Sequence, residues 1–100
     1  MLTIPETLDG AVVLYYAVID QRHTPTGNTR HTVAGEPLGT ASRLAICRYD
    51  EGSFYLFYCD ENWNVRTDTY HTTLQDSMAQ AEFEYAGVTS TWVKVDRGAS

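Results

Sequence analysis

Three histidines are the residues of this chain with the most useful chemistry near neutral pH, because imidazole titrates there and also binds metal ions. The spacing of His23, His31 and His71 matches neither a helical zinc pair nor a cysteine–histidine ribbon. Cys47 and Cys59 form no CxxC pair. We therefore expect no metal or other cofactor. His71 should lie beside a helix cap, and His23 and His31 should be solvated in a loop.

Three carboxylates, Asp60, Glu61 and Asp68, are close enough in the chain to meet at one end of a predicted hairpin. Paired carboxylates carry out acid–base catalysis when burial separates their pKa values. Aspartate is also a common turn residue, because it bonds to its own backbone. The sequence has no GxSxG motif, no glycine-rich phosphate loop and no recognisable cysteine–histidine context. We therefore predict that the protein is not an enzyme.

Two large aromatic residues, Trp63 and Phe83, occupy positions where the local pattern predicts exposure. Trp63 lies in the polar turn 60–64, and Phe83 points away from the apolar stripe of a predicted helix. Aromatic residues inside a charged rim have the composition of a recognition site. Alternatively, Trp63 folds over the sheet edge or contacts Phe83, and residues 89–95 cover Phe83. The candidate binding residues are Trp63, Phe83, Asp60, Glu61, Glu82 and Glu84.

The strands that must position these residues follow from the hydrophobic pattern. Residues 11–19 and 54–59 are apolar on both alternating faces, which is typical of strands covered on both sides, and alternation places Val13 and Tyr15 on the same face. Strands at 43–49, 54–59 and 65–70, joined by short turns, predict an antiparallel meander.

The two cysteines lie on neighbouring strands of that meander. If Tyr49 faces Phe54 in the connecting hairpin, Cys47 and Cys59 stand out of register and cannot form a disulfide without a slipped ladder. We predict that both thiols are reduced and buried.

A helix is predicted over residues 73–86, with a cap at Thr73 and a stop at Gly87. The positions with helical apolar spacing, which should pack on the sheet, are Leu74, Met78, Ala81 and Tyr85. The positions expected elsewhere on the helix are Asp76, Gln80, Glu82 and Glu84. The predicted fold is α+β, with an antiparallel sheet of four to five strands and this helix packed on one face.

The 100 residues are expected to form a single domain. Residues 20–42 are rich in glycine and proline and predict a long loop or an irregular hairpin turning at 26–28. Residues 96–100 predict a frayed tail. Because one helix covers one face only, the other face must be covered by the 20–42 loop, the C-terminal segment or another subunit.

The net charge of −6 disfavours nucleic acid and anionic membrane surfaces, and it attracts a basic partner. The N-terminus lacks the basic and apolar regions of a signal peptide, and no apolar run approaches the ~20 residues that cross a bilayer. We expect a cytoplasmic protein.

The segments YLFYCDENWN (55–64), TDTYH (67–71) and QAEFEY (80–85) resemble a pattern of small bacterial cytosolic domains that have no established activity. Some small acidic bacterial domains of this kind resemble immunity proteins, which neutralise a toxin. The resemblance implies a bacterial, cytoplasmic, single-domain protein. Our function hypothesis is a protein-binding module, immunity-like or regulatory, with an aromatic sheet face and an acidic rim. The alternative is a homodimeric structural or small-ligand-binding domain.

Overall fold

An antiparallel sheet of six strands curls into a half-barrel and carries an α-helix from the C-terminal half of the chain. The computed structural model describes residues 4–27, 32–33, 36–37, 39–49 and 53–95. The predicted α+β class is confirmed. The sheet has more strands than the four to five predicted, because two-residue strands pair at its edge. No helix in the described part of the chain is long and apolar enough to span a membrane.

The elements of the described residues are long strands in the sheet, short two-residue strands and helical segments. In chain order they are β1 (Thr7–Leu8), β2 (Ala11–Val18), β3 (Thr24–Pro25), β4 (Thr32–Val33), β5 (Glu36–Pro37), β6 (Arg43–Arg48), β7 (Phe54–Cys59), β8 (Val65–His71), α1 (Leu74–Glu84), β9 (Tyr85–Ala86), a 3-10 turn (Val88–Ser90) and β10 (Val93–Lys94).

The main sheet has the order β1-β2-β6-β7-β8, and β10 also pairs with β2. The long strands are adjacent because short turns join β6, β7 and β8, which is the predicted meander. β8 forms one edge of the sheet. Two small pairings, β3 with β9 and β4 with β5, lie outside it.

Two register details differ from the sequence prediction. In the β6–β7 ladder Cys47 lies opposite Tyr55, so the pairing is shifted by one residue from the expected alignment. In β2 the register with β6 shifts between Val13 and Tyr15, which makes Leu14 the extra residue of a bulge. Val13 and Tyr15 therefore pack in different clusters, and their predicted common face is wrong.

One hydrophobic cluster fills the space between the sheet and α1. Its buried members are Ala17, Leu44, Ile46, Leu56, Tyr58, Ala81, Tyr85 and Val88. Leu74 and Met78 are partly buried against it, so the predicted helix stripe is confirmed. The helix ends at Glu84 rather than 86, because Tyr85 and Ala86 pair with β3 instead.

The second cluster covers the face of the sheet opposite α1. Its buried members are Leu8, Ala11, Val13, Ala45, Cys47, Phe57, Cys59 and Trp63. Ile4 and Val95 pack against it from the two ends of the chain. The predicted cover by the C-terminal segment is confirmed for Val95, whereas the N-terminal cover was not predicted.

Part of the predicted 20–42 loop packs on the end of α1. The backbone N–H of Thr26 donates to the Glu84 carbonyl at 2.9 Å, and its hydroxyl donates to the Phe83 carbonyl at 2.6 Å. The predicted turn at 26–28 lies partly outside the described residues. His31 and the tail 96–100 lie wholly outside them.

Candidate functional site

Trp63 is buried, with 6% of its surface exposed, so the structure favours the alternative of a structural residue over that of an exposed anchor. Its backbone has a φ of +66°, in the left-handed region that non-glycine residues seldom adopt. The side chain lies in the cluster opposite α1, where its ring meets Tyr16 edge-on at 5.8 Å and the Arg43 guanidinium lies 5.3 Å from its centroid. Trp63 is therefore part of the core.

The turn that carries Trp63 is held by the Asp60 carboxylate. This group accepts hydrogen bonds from the backbone N–H groups of Asn62 (2.8 Å) and Asn64 (2.9 Å) and from the Asn64 side chain (3.0 Å). These bonds, the Asn64 side-chain bond foremost, lower the pKa of Asp60. Asp60 thus has the structural role of a turn residue. The neighbouring Glu61 is exposed, and its carbonyl accepts from Arg43 Nε at 3.0 Å.

Glu84, the last residue of α1, is buried, which contradicts its predicted position away from the sheet. Its carboxylate accepts hydrogen bonds from the Tyr58 hydroxyl and from Gln80 Nε2. Burial and the bond to Glu84 raise the pKa of Tyr58. Hydrogen bonding is what permits a carboxylate at this depth.

Glu82 and Phe83 lie near the end of α1. The Glu82 carboxylate accepts from the N–H groups of Gly87 (2.8 Å) and Thr89 (2.9 Å) and from the Thr89 hydroxyl (2.7 Å). These bonds lower the pKa of Glu82. Phe83 is 51% exposed, as predicted. Phe83 lies on α1, on the other side of the sheet from Trp63, so the six candidate residues do not form one patch.

His23 is buried, so the prediction of a solvated residue is wrong. Its Nδ1 accepts from the Asp20 backbone N–H at 3.1 Å, and its Nε2 lies 2.8 Å from the Thr91 hydroxyl, which donates to the Val88 carbonyl. The Asp20 carboxylate is 3.5 Å from Nδ1. These are the residue types of a nucleophilic triad.

The hydrogen-bond directions oppose that chemistry. Because Nδ1 of His23 accepts a hydrogen bond, the ring hydrogen lies on Nε2, which donates to the Thr91 hydroxyl oxygen. Nε2 therefore cannot remove the Thr91 proton. The cluster instead ties the segment after β2 to the 3-10 turn. His71 lies beside the helix cap as predicted, 2.7 Å from the Thr69 hydroxyl, and burial lowers its pKa. The described residues contain no group of three or more metal-ligating side chains.

A cleft of about 240 Å³ lies between the turn after β7 and the end of α1. Tyr58 and Tyr85 contribute aromatic surface to it, and Asp60, Glu61 and Arg66 contribute charges. The Tyr85 hydroxyl accepts from the Ala41 backbone N–H at 2.9 Å. Two predicted site residues therefore line a cleft that the sequence did not indicate.

Three tyrosines, Tyr49, Tyr55 and Tyr70, form a contiguous aromatic surface on the face of the sheet opposite α1, and we term it the tyrosine platform. Tyr55 meets Tyr49 and Tyr70 edge-on, with ring centroids 5.3 Å apart in both pairs. Tyr55 and Tyr70 are directly opposite in the β7–β8 ladder. Tyr49 is 51% exposed and Tyr70 is 55% exposed.

Acidic groups lie next to the tyrosine platform. Asp68 pairs with Phe57, so it shares the platform face with Tyr70, two residues along β8. The Tyr49 hydroxyl donates to the Asp9 carbonyl at 2.8 Å. Partial desolvation raises the pKa of Tyr49, and the charges of Asp9 and Asp68 raise it further. The number of tyrosines in the sequence predicts that some of them line a surface, but strand register decides which of them meet.

No protein-family model matches the chain, and comparisons with curated proteins and with solved structures find no significant match.

Proposed function

We propose that the protein is a protein-binding module whose contact surface is the tyrosine platform. The observation that carries this proposal is the packing of Tyr49, Tyr55 and Tyr70 into one surface whose two outer rings are about half exposed. Tyrosine is enriched at protein interfaces, because it offers a large apolar ring and a polar hydroxyl with few rotatable bonds.

The proposed partner is basic. The chain carries a net charge of −6, and Asp9 and Asp68 act electrostatically on the platform. Lysine and arginine side chains are attracted both to carboxylates and to the faces of tyrosine rings. The charge and the aromatic surface therefore favour the same class of ligand. An immunity-like or regulatory role is compatible with such a surface.

The test is binding of a lysine-rich peptide to the intact protein, measured by calorimetry, with a glutamate-rich peptide of equal length for comparison. We expect binding of the basic peptide alone, weakened by added salt. Tyr70→Ala and Asp68→Asn should each weaken it about threefold to tenfold, which corresponds to one lost cation–π or charge contact.

Phe83→Ala is the matched control, because Phe83 is as exposed as Tyr49 but lies on the helix side of the sheet. It should leave the affinity unchanged. Equal losses from Tyr70→Ala and Phe83→Ala, or no binding of the basic peptide, would contradict the proposal.

A second candidate function is small-ligand binding in the cleft beside Tyr58 and Tyr85. Its volume of about 240 Å³ approaches the lower end of the range for ligand pockets, and its lining combines aromatic and charged groups. A screen of small polar aromatic compounds by amide chemical shift tests it. Shifts confined to the residues around Tyr85 would favour it over the platform.

We further propose that the protein acts in the bacterial cytoplasm and is not an enzyme. The two buried cysteines, which form no disulfide, agree with a reducing compartment. The hydrogen bonds of Asp60 within its turn, and the hydrogen bond that His23 Nε2 donates to Thr91, support the proposal that neither residue is catalytic. The net negative charge also disfavours nucleic acid and anionic membranes as partners.

A further inference from the structure

The edge strand β8 has main-chain groups available for pairing. β7 is hydrogen-bonded along one side of β8, and no strand in the described part of the chain pairs with the other side. From Thr67 to His71 the ladder with β7 runs in unbroken register, and the irregularity lies before Thr67, at Arg66. An exposed edge of this kind accepts an additional strand through its free N–H and C=O groups.

Several features that proteins use to block edge pairing are absent from β8. The segment VRTDTYH contains neither proline nor lysine, and its charged residues are Arg66, at the bulge, and Asp68. Its bulge is confined to the N-terminal end, so the remaining residues keep regular strand geometry. The length available is that of an ordinary strand.

The side chains of β8 form two rows with different chemistry. Asp68 and Tyr70 lie on the face of the tyrosine platform, and both are exposed. Thr67, Thr69 and His71 lie on the helix face and are half-buried. A strand added to this edge would place alternate side chains directly beside Asp68 and Tyr70, because cross-strand neighbours lie about 5 Å apart.

We propose that the partner supplies an extended segment that pairs with β8, with lysine or arginine at two alternate positions. One basic side chain lies against the Asp68 carboxylate, and the other lies on the ring of Tyr70. This inference rests on the proposed function, because it names the binding mode and the partner chemistry of the same surface. Main-chain pairing supplies affinity, and the two basic side chains supply specificity.

Charge favours this occupant over a second copy of the chain. Two copies that pair through β8 bring together two molecules of net charge −6, whereas a basic segment reduces the charge at the interface. Self-pairing centred on Asp68 would also place two carboxylates directly opposite each other, which is destabilising.

The experiment uses the full chain and a capped peptide of alternating lysine and threonine as long as β8. Two forms with methylated backbone nitrogens are compared. One is methylated on the backbone nitrogen of every lysine, and the other on the backbone nitrogen of every threonine. Alternate residues of a strand direct their N–H groups to the same side, so either the lysines or the threonines donate to β8. The form that is methylated on the donating residues should bind at least about tenfold more weakly, and the other form should keep its affinity. Amide exchange of β8 residues should slow when the unmodified peptide binds.

The outcomes separate this inference from the proposed function. If both methylated forms bind equally and β8 amides stay unprotected, while Tyr70→Ala weakens binding, edge pairing is wrong and the platform proposal stands. Failure of the unmodified peptide to bind overturns both. Concentration-dependent protection of β8 amides without peptide shows that a second copy occupies the edge, which also overturns the inference.

Discussion

Trp63 shows at the scale of a single residue how a turn can place an aromatic ring in the core. Sequence position alone predicts exposure, because the flanking residues are polar. The Asp60 hydrogen bonds close the turn, and the left-handed backbone of Trp63 accompanies a ring packed in the cluster opposite α1. The backbone strain is offset by the burial of a large apolar ring.

Substitutions at Trp63 should follow an unusual order. Trp63→Ala should lower the free energy of unfolding by about 3–5 kcal/mol, as expected for a buried tryptophan. Trp63→Gly should be less damaging than Trp63→Ala by about 1 kcal/mol, because glycine adopts a φ of +66° without steric cost. Urea denaturation provides the measurement. Phe57, in the middle of β7, is the control, and there glycine should be worse than alanine.

The two cysteines should react slowly in the native protein. Neither forms a disulfide, both are fully buried, and burial raises the pKa of the Cys59 thiol to about 12. The nucleophilic thiolate is therefore scarce and inaccessible at neutral pH. A thiol reagent followed by mass spectrometry should label neither residue rapidly until denaturant is added. Rapid native labelling of either cysteine would mean that its cluster opens readily.

At the scale of elements, the end of α1 depends on Gly87 and on the segment after β2. Gly87 has a φ of +100°, and a Cβ there would lie 2.8 Å from the Arg22 carbonyl oxygen. The same region holds the β3–β9 pairing and the His23–Thr91 hydrogen bond. The helix therefore stops where a distant segment packs against it.

Gly87→Ala should destabilise the protein more than Gly27→Ala. Both glycines have a positive φ, so both substitutions carry backbone strain of about 1–2 kcal/mol. A Cβ at Gly27 meets no atom of the described residues within 4 Å, whereas at Gly87 it also collides with main chain. Thermal melts of the two variants measure the difference. Equal shifts in melting temperature would show that the backbone at Arg22 moves away easily.

The contribution of Glu82 to stability should depend on pH. Its pKa is lower in the folded protein than its ordinary value of 4.5, so ionised Glu82 stabilises the fold above that value. This stabilisation is lost as the pH falls through the lower folded pKa. Glu82→Gln should therefore be less stable than the wild type at about pH 7, and the gap should narrow at about pH 3. If the difference in free energy of unfolding between the wild type and Glu82→Gln is the same at every pH, the stabilising role of ionised Glu82 is wrong.

At the scale of the whole molecule, the two hydrophobic clusters lie on the two faces of one sheet. Alternate residues of β6 and β7 contribute to both: Leu44 and Leu56 pack on the helix side, and Cys47 and Phe57 pack on the other. If β6 and β7 separate, the buried side chains of both clusters become exposed to solvent. The sheet thus couples the two faces.

Unfolding should be a single cooperative transition. Near-ultraviolet circular dichroism reports the aromatic packing of Trp63 and the tyrosines, and far-ultraviolet circular dichroism reports α1 and the strands. The two denaturation curves should coincide, because both clusters share β6 and β7. Separate midpoints would show that one face melts first and would contradict this coupling.

The sequence by itself determined the elements whose periodicity is local. Three features follow from spacing and composition: the helix stripe of Leu74, Met78 and Ala81, the meander of β6 to β8, and the two buried cysteines that form no disulfide. These features depend on residues within a few positions of one another, so pattern alone predicts them.

The tertiary structure alone decided which side chains share a surface. The bulge at Leu14 changes which residues of β2 face each cluster. Trp63, a predicted contact residue, has a left-handed backbone and lies in the core. Glu84 is buried because the Tyr58 hydroxyl donates a hydrogen bond to its carboxylate. The tyrosine platform arises in the same way, because the register of β7 with β8 places Tyr55 opposite Tyr70. Strand register and long-range hydrogen bonds depend on the whole packed sheet, so no local pattern of the chain contains them.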